Sequence, residues 1–293
     1  MACHRLWSFG AGFFAGFLLI ATAALGEAAQ DVEHYLVTEL HKTYGYPGMV
    51  LAGDNLYVTN LDADYNAVVQ VYNATGKDWV ATLTLEHSAT SLAQYGDGVV
   101  AVGRRSTPYW TSHISLITPT RAGFTIDHKE LGFNTIVESA VSDGERIYFN
   151  EKGSRGIFRW NGRGLSRLPV EISGPGNNMV LAGADLFVIE LRSLFDPGDE
   201  SLVRIDTNNG NAERLIWGEQ LFGLRNITLV DDLIFGTETY SNEAIVIDPY
   251  GDELKGRVAL KDGAYGIAAF HKCAVAVMDD KKSLAFIKAT TDG

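Results

Sequence analysis

Six times along the chain a short apolar strand, a tight polar turn and a second apolar strand recur. The first copy is Pro47–Asn60 (PGMVLAGDNLYVTN), where Met49–Ala52 and Leu56–Asn60 flank Gly53-Asp54-Asn55. Gly and Asp supply the backbone angles that a hairpin turn requires, and the flanking residues suit strands. The turn returns at Gly96-Asp97, Asp143-Gly144, Ala184-Asp185 and Asp231-Asp232, with His271-Lys272 in sixth place. The intervals between Asp54, Asp97, Asp143, Asp185, Asp231 and His271 are 43, 46, 42, 46 and 40 residues. A repeat of this length cannot bury its own apolar surface and must stack on copies of itself.

Each repeat continues with the same parts. The second strand of the hairpin is Leu56–Asn60, Val99–Gly103, Ile147–Glu151, Leu186–Glu190, Leu233–Thr237 and Cys273–Met278 in turn. A loop leads to a third strand, as in Ala67–Tyr72 and Leu202–Asp206, and a polar turn to a fourth, as in Trp79–Leu85. The apolar runs are continuous rather than alternating, which suits sheets packed on both faces. The sixth repeat stops after its third strand, near Lys288, whereas His34–Leu40 is a strand with no repeat of its own. These observations predict an all-β, six-bladed β-propeller with four-stranded blades, closed by the N-terminal strand completing the last blade. A β-sandwich with evenly spaced strands is the alternative.

The ends of the chain and its charge bound the setting. Met1–Arg5 is short and basic, Leu6–Leu25 carries no charge, and Ala24-Leu25-Gly26 fits a signal-peptidase site. This predicts an export signal over 1–26 and a single domain over 27–293, periplasmic or secreted, with no membrane insertion of the mature domain. An uncleaved anchor is the other reading of the same run. A net charge of −12 argues against nucleic acid, whose binding needs a cationic face. Loss of Cys3 with the signal leaves Cys273, which alternates with Val275 and Val277 and is expected in the core.

Leu56-Tyr57-Val58-Thr59-Asn60, followed by Val68–Thr75 and Ala81–Leu85, resembles one repeat of the YVTN-type, surface-layer-like β-propellers, and Leu202–Thr207 with Asn208–Leu215 resembles its second half. Members of that group usually carry seven blades, against six counted here. The resemblance implies an exported binding propeller and brings no catalytic motif.

In a propeller the start of each first strand and the end of each second strand open on one face, beside the central channel. Aligning the repeats by their turns puts Gly48, Ser91, Glu138, Asn178, Asn226 and Gly266 at the first-strand starts. Asn60, Arg104, Glu151, Glu190, Glu238 and Asp279 stand at the second-strand ends. Glu138, Asn178 and Asn226 offer convergent oxygens of the kind Ca²⁺ prefers. That trio is similar to the metal site of six-bladed gluconolactonase and paraoxonase propellers, a resemblance that implies a Ca-dependent lactonase or esterase. In the other reading the same side chains hydrogen-bond strand ends and solvate the channel. No catalytic residue is assigned.

The loops on this face carry Arg beside aromatics, as binding surfaces do. Arg104, Tyr109, Trp110, Arg192 and Phe195, with Tyr46, Arg225 and Tyr265 near first-strand starts, are the expected clamp for a protein, peptide or small anionic ligand. Asp62-Ala63-Asp64-Tyr65-Asn66 begins like a calcium loop but lacks its later Gly and Glu, so a turn is expected there. The seven His are scattered, and no His-Glu-x-x-His, Cys-x-x-Cys or Gly-x-Ser-x-Gly motif occurs. The first expectation is thus a binding or scaffolding propeller, the second a metal-dependent hydrolase.

Overall fold

The computed structural model describes residues 30–36, 48–62, 64, 66–73, 78–105, 111–131, 137–151, 155–172, 176–191, 199–238, 241–270, 272–278 and 283–289. The expected export signal lies outside these residues. Among them no helix is long and apolar enough to cross a membrane.

Strand β1 (Gln30–Leu36) comes first. Blade one is β2 (Met49–Ala52), β3 (Asn55–Leu61), β4 (Ala67–Asn73) and β5 (Trp79–Thr84). Blade two is β6 (Ser88–Tyr95), β7 (Gly98–Arg105), β8 (Thr111–Thr120) and β9 (Gly123–Glu130). Blade three is β10 (Val137–Ser142), β11 (Ile147–Glu151), β12 (Gly156–Trp160) and β13 (Leu165–Glu171). Blade four is β14 (Gly176–Ala182), β15 (Asp185–Leu191), β16 (Glu200–Asp206) and β17 (Ala212–Trp217), followed by a 3₁₀ turn over Gly218–Leu221. Blade five is β18 (Leu224–Val230), β19 (Leu233–Glu238), β20 (Glu243–Asp248) and β21 (Glu253–Ala259). Blade six is β22 (Ala264–Phe270), β23 (Cys273–Met278) and β24 (Ser283–Ala289), and β1 pairs with β24 as its fourth strand. Each blade is a four-stranded antiparallel sheet in sequential order, and the inner strands β2, β6, β10, β14, β18 and β22 touch in turn around a closed ring. The six-bladed propeller expected from the repeat is the fold.

Six hydrophobic clusters hold the ring, and each is shared by two successive blades. Tyr57 and Val69 of blade one pack with Leu92 and Val99 of blade two. The ring closes where Met49 and Val58 of blade one meet Ala268, Val275 and Phe286 of blade six. Both faces of each inner sheet are therefore buried, which is why the second strands read as unbroken apolar runs. Outer strands face solvent on at least one side: β5 alternates exposed and half-buried residues along its length. Cys273 is buried in the last blade as expected.

Two expectations need correction. The closing strand is Gln30–Leu36, four residues earlier than His34–Leu40, with Gln30 opposite Ala289 and Leu36 opposite Ser283. Outer strands need little apolar content, so QDVE serves where the apolar pattern pointed further along. The fourth hairpin turn is Gly183-Ala184, with Asp185 already in β15. Gly53, Gly96 and Gly183 open their turns at φ of 58°, 56° and 60°, and Asp231 takes φ 52° at the same place. Asp tolerates that region better than most side chains, so the turn type survives without glycine.

Candidate functional site

The inner strands do not start as simple ladders. In blades two to six the register shifts near the first residues of the inner strand, leaving one extra residue against the second strand. Such bulges re-aim side chains at the rim of a sheet. Thr90, Glu138, Arg225 and Tyr265 are the extra residues in blades two, three, five and six. The positions that follow are Ser91, Ser139, Asn226 and Gly266, and Asn178 and Gly48 complete this set.

This register places Glu138 at the blade-three bulge. By register, Ser139 holds in blade three the position of Asn226 in blade five: Ser139 pairs with Asn150, and its N–H donates to Asn150 Oδ1 at 3.0 Å. The Gly48 N–H donates in the same way to Thr59 Oγ1 at 2.7 Å. The offset arises because the blade-three turn is longer. Asp143 Oδ1 accepts from the N–H groups of Glu145 and Arg146, at 3.0 and 2.7 Å, and spreads that turn over four residues.

A cavity of about 630 Å³ fills the channel beside these strand starts, and all six inner strands line it. Its polar lining includes Thr90, Ser91, Arg104, Asn178, Arg225 and Asn226. Among the described lining residues there is no Asp, Glu, His or Cys. The small side chains also stitch neighbouring blades. Ser91 Oγ accepts from Ala140 N–H at 3.1 Å, Thr90 Oγ1 donates to the Val137 carbonyl at 2.7 Å, and Asn178 Nδ2 donates to Asn226 Oδ1 at 3.4 Å. Asn178 Oδ1 also accepts from the Ile227 N–H at 3.4 Å, so this side chain bridges blades four and five.

The two described acidic second-strand ends, Glu190 and Glu238, turn into their blades and do not line the channel cavity. Glu190 is fully buried, and its Oε2 accepts from Ser201 Oγ at 2.9 Å and from Arg214 at 2.8 Å. Glu238 is likewise buried, with Oε2 accepting from Ser241 Oγ and Arg257, both at 2.6 Å. Burial pushes the Glu238 pKa up, against the pull of Ser241 and Arg257. Arg214 and Arg257 sit at one register position of the outer strand, opposite Val203 and Ile245, and Arg167 holds that position in blade three, opposite Phe158. A Glu at the end of the second strand with an Arg on the fourth is thus a repeated sequence pattern over blades three to five, Glu151 with Arg167 included.

The other expected residues divide plainly. Asn60 is buried; its Nδ2 donates to Gln70 Oε1 at 3.1 Å, and its own Oδ1 accepts from Leu61 N–H at 2.8 Å. Arg104 and Arg225 line the cavity. Arg225 also donates to Glu200 Oε1 at 2.9 Å, tying the blade-five bulge to β16 of blade four. Tyr46, Tyr109, Trp110, Arg192, Phe195 and Asp279 lie outside the described residues, as do the side chains of Glu138, Glu151 and Tyr265. Asp62 forms a turn, its Oδ2 accepting from Asn66 Nδ2 at 3.0 Å and its Oδ1 from the N–H groups of Asn66 and Asp64; the Asn66 side-chain bond first, then the backbone bonds, lower its pKa.

Sequence reasoning missed Glu200, whose partner comes from the next blade, and a gathering of three His in blade two. The available signal for the latter was a shared two-residue spacing, His113-x-Ser115 and His128-x-Glu130, on the two strands of one hairpin.

No protein-family model matches the chain, and no curated protein matches it by sequence. Among solved structures it is similar to Myxococcus xanthus glutaminyl cyclase, at 15% identity over 69% of this chain and 90% of that one, with a TM-score of 0.47. It is also similar to apo AztD from Citrobacter koseri, at 15% identity over 79% of this chain and 62% of that one, with a TM-score of 0.45. Likeness at this distance carries no chemistry from either protein to this chain.

Proposed function

We propose that this chain is an exported ligand-binding propeller whose channel mouth takes a small anionic or peptide-like ligand. One observation carries the reading: the described lining of the 630 Å³ cavity offers amides, hydroxyls and two guanidinium groups but no carboxylate. Within a chain of net charge −12, a lining of this kind is where an anion meets least repulsion. Arg104 supplies the positive charge, Arg225 adds guanidinium N–H groups although its charge is paired with Glu200, and Asn178, Asn226 and Ser91 supply orienting polar atoms. A hard cation favours carboxylate oxygens, and the acidic candidates Glu190 and Glu238 are already neutralised by arginines inside their blades.

The test is a thermal-shift and calorimetric screen of small carboxylates and short peptides with free C-termini. A ligand at a hundred times its Kd stabilises the fold by about 2.7 kcal/mol. Asn178→Ala is expected to weaken such binding about tenfold, the worth of one hydrogen bond, with little change in melting temperature. If the screen is silent while Ca²⁺ raises the melting temperature, and Glu138→Gln removes that rise, the metal-dependent reading replaces this one.

A further inference from the structure

Blade two holds a second set of reactive side chains, none of which lines the channel cavity. His87 ends the link from blade one. Thr111, His113 and Ser115 alternate along β8 and so share one face of the sheet. On β9, Glu130 stands opposite His113 and His128 opposite Ser115. The His113 and His128 rings lie nearly parallel, with centroids 4.9 Å apart, and the His87 ring is 5.2 Å from His128 and 5.8 Å from His113.

The hydrogen bonds among them run in a determined direction. His87 Nδ1 is 2.9 Å from the Ser88 carbonyl, which only accepts, so Nδ1 carries the proton. Its Nε2 then accepts from the Ser115 hydroxyl at 2.9 Å. The Ser115 oxygen is left to accept from His128 Nδ1–H at 3.3 Å. At the far end His113 Nε2 is 2.6 Å from Thr111 Oγ1. One contact remains: His113 Nδ1 and His128 Nε2 face each other at 3.0 Å and share one proton. When Thr111 accepts from His113 Nε2–H instead of donating to it, that proton leaves the gap and two nitrogen lone pairs converge on it. The Glu86 carboxylate stands beside them, Oε2 lying 3.9 Å from His128 Nε2.

We propose that His113 Nδ1 and His128 Nε2, with Glu86 as third ligand, bind a divalent first-row transition-metal ion in place of the shared proton. Zinc–nitrogen bonds of 2.0–2.1 Å at a tetrahedral angle separate two ligating nitrogens by about 3.3 Å, so the pair opens by only a few tenths of an ångström. Each ligating ring keeps its other N–H on a hydroxyl oxygen, Thr111 or Ser115, the outer-shell arrangement that fixes ring orientation in metal sites. Binding to the neutral rings releases no proton, because the His113 proton moves from Nδ1 to Nε2. No three His, Cys, Asp or Glu among the described residues are already set around one point. Glu86, whose side chain is 69% exposed, is the ligand that swings in, and solvent fills the remaining position.

The surroundings suit a cation. Burial first, then the neighbouring His128, hold the His113 pKa below the usual range. Burial pushes His87 down to about 4, so it stays a neutral link in the chain. Glu86 and Glu130 act on His113 with negative charge and Arg105 with positive charge. Below the imidazole range protons compete for the same lone pairs, so affinity falls with acidification.

The test titrates the untagged full chain, stripped with a chelator, with Zn²⁺, Ni²⁺ and Cu²⁺ in turn at pH 7.5. One saturable equivalent is expected, tightest for Cu²⁺, with nitrogen hyperfine splitting in the Cu²⁺ paramagnetic resonance spectrum. His128→Gln and Glu86→Gln touch partly exposed side chains and are expected to keep the fold while weakening binding about tenfold or more. His113→Ala is read alongside a melting curve, and the two partly exposed variants decide the matter if it fails to fold. The absence of saturable binding by all three ions overturns the site, as does binding that neither His128→Gln nor Glu86→Gln weakens.

Discussion

A chain that begins after Leu36 is expected to lose its cooperative melting transition and to associate. All seven residues of β1 pair with β24, so their removal strips the last blade of its outer strand and exposes a long edge. Each lost backbone hydrogen bond costs about 1 kcal/mol net, so the ladder as a whole approaches the 5–15 kcal/mol that stabilises a typical domain. The exposed edge also has unpaired N–H and C=O groups that recruit other chains. Two observations check this: the melting profile, and the mass distribution by light scattering. A synthetic peptide spanning residues 27–36, added in excess, is expected to restore part of the transition by adding a strand to that edge. A truncated chain that stays monomeric and melts at the parent temperature would show that ring closure does not depend on β1.

Arg257→Ala is expected to destabilise the protein by about 3–5 kcal/mol, the cost of leaving a buried carboxylate without its partner. Glu238 is fully buried, and among the described residues its Oε1 has no hydrogen-bond partner, so Oε2 carries the whole interaction. Arg257 donates to that oxygen at 2.6 Å, to Glu243 at 2.9 Å and to the Gln220 carbonyl at 2.7 Å, joining blade five to the 3₁₀ turn that leads into it. For a chain of this size the loss corresponds to a fall of about 10 °C in melting temperature. The pH dependence identifies the cause. Burial already raises the Glu238 pKa, and removing Arg257 raises it further. A carboxyl whose folded pKa lies above its unfolded value favours the folded state below the unfolded pKa, and that contribution is lost as pH rises through the folded pKa. The deficit of Arg257→Ala is therefore largest near pH 7 and shrinks toward pH 4. A double variant, Arg257→Leu with Glu238→Leu, is expected to recover much of the stability, since an apolar pair leaves no buried charge behind. A deficit that does not vary with pH would place the cost in lost packing of the arginine stem instead.

Blade number, strand order and the closing principle were legible in the chain because a propeller repeats one short-range pattern. Each hairpin is set by neighbours within about ten residues, so Gly53-Asp54 or Gly96-Asp97 with their flanking apolar runs suffice to place it. Even the ring closure was readable, since one strand was missing at one end and one was spare at the other. The four-residue error in that strand came from looking for apolar content where an outer strand requires little. Arg104, Arg225, Asn178 and Asn226 line one cavity, because strand starts and strand ends are placed by topology alone.

The direction and pairing of individual side chains were settled only by tertiary structure. A single extra residue at the start of β10 leaves Glu138 outside the ladder and gives Ser139 the register position that Asn226 holds in blade five, a shift that local pattern does not show. Glu190 and Glu238 looked like channel groups from their place in the repeat; the outer-strand arginine bonded to each draws them into the blade, where an unpaired charge would be costly. His87, His113 and His128 share no sequence motif and meet because strand pairing and the link between blades bring them to one face. The sequence alone thus determined a six-bladed ring and the end of the channel where the strand starts gather, since both depend on local turns and on counting. The lining of that mouth, the neutralised carboxylates and the histidine cluster depend on register and on contacts between blades, which local pattern does not encode.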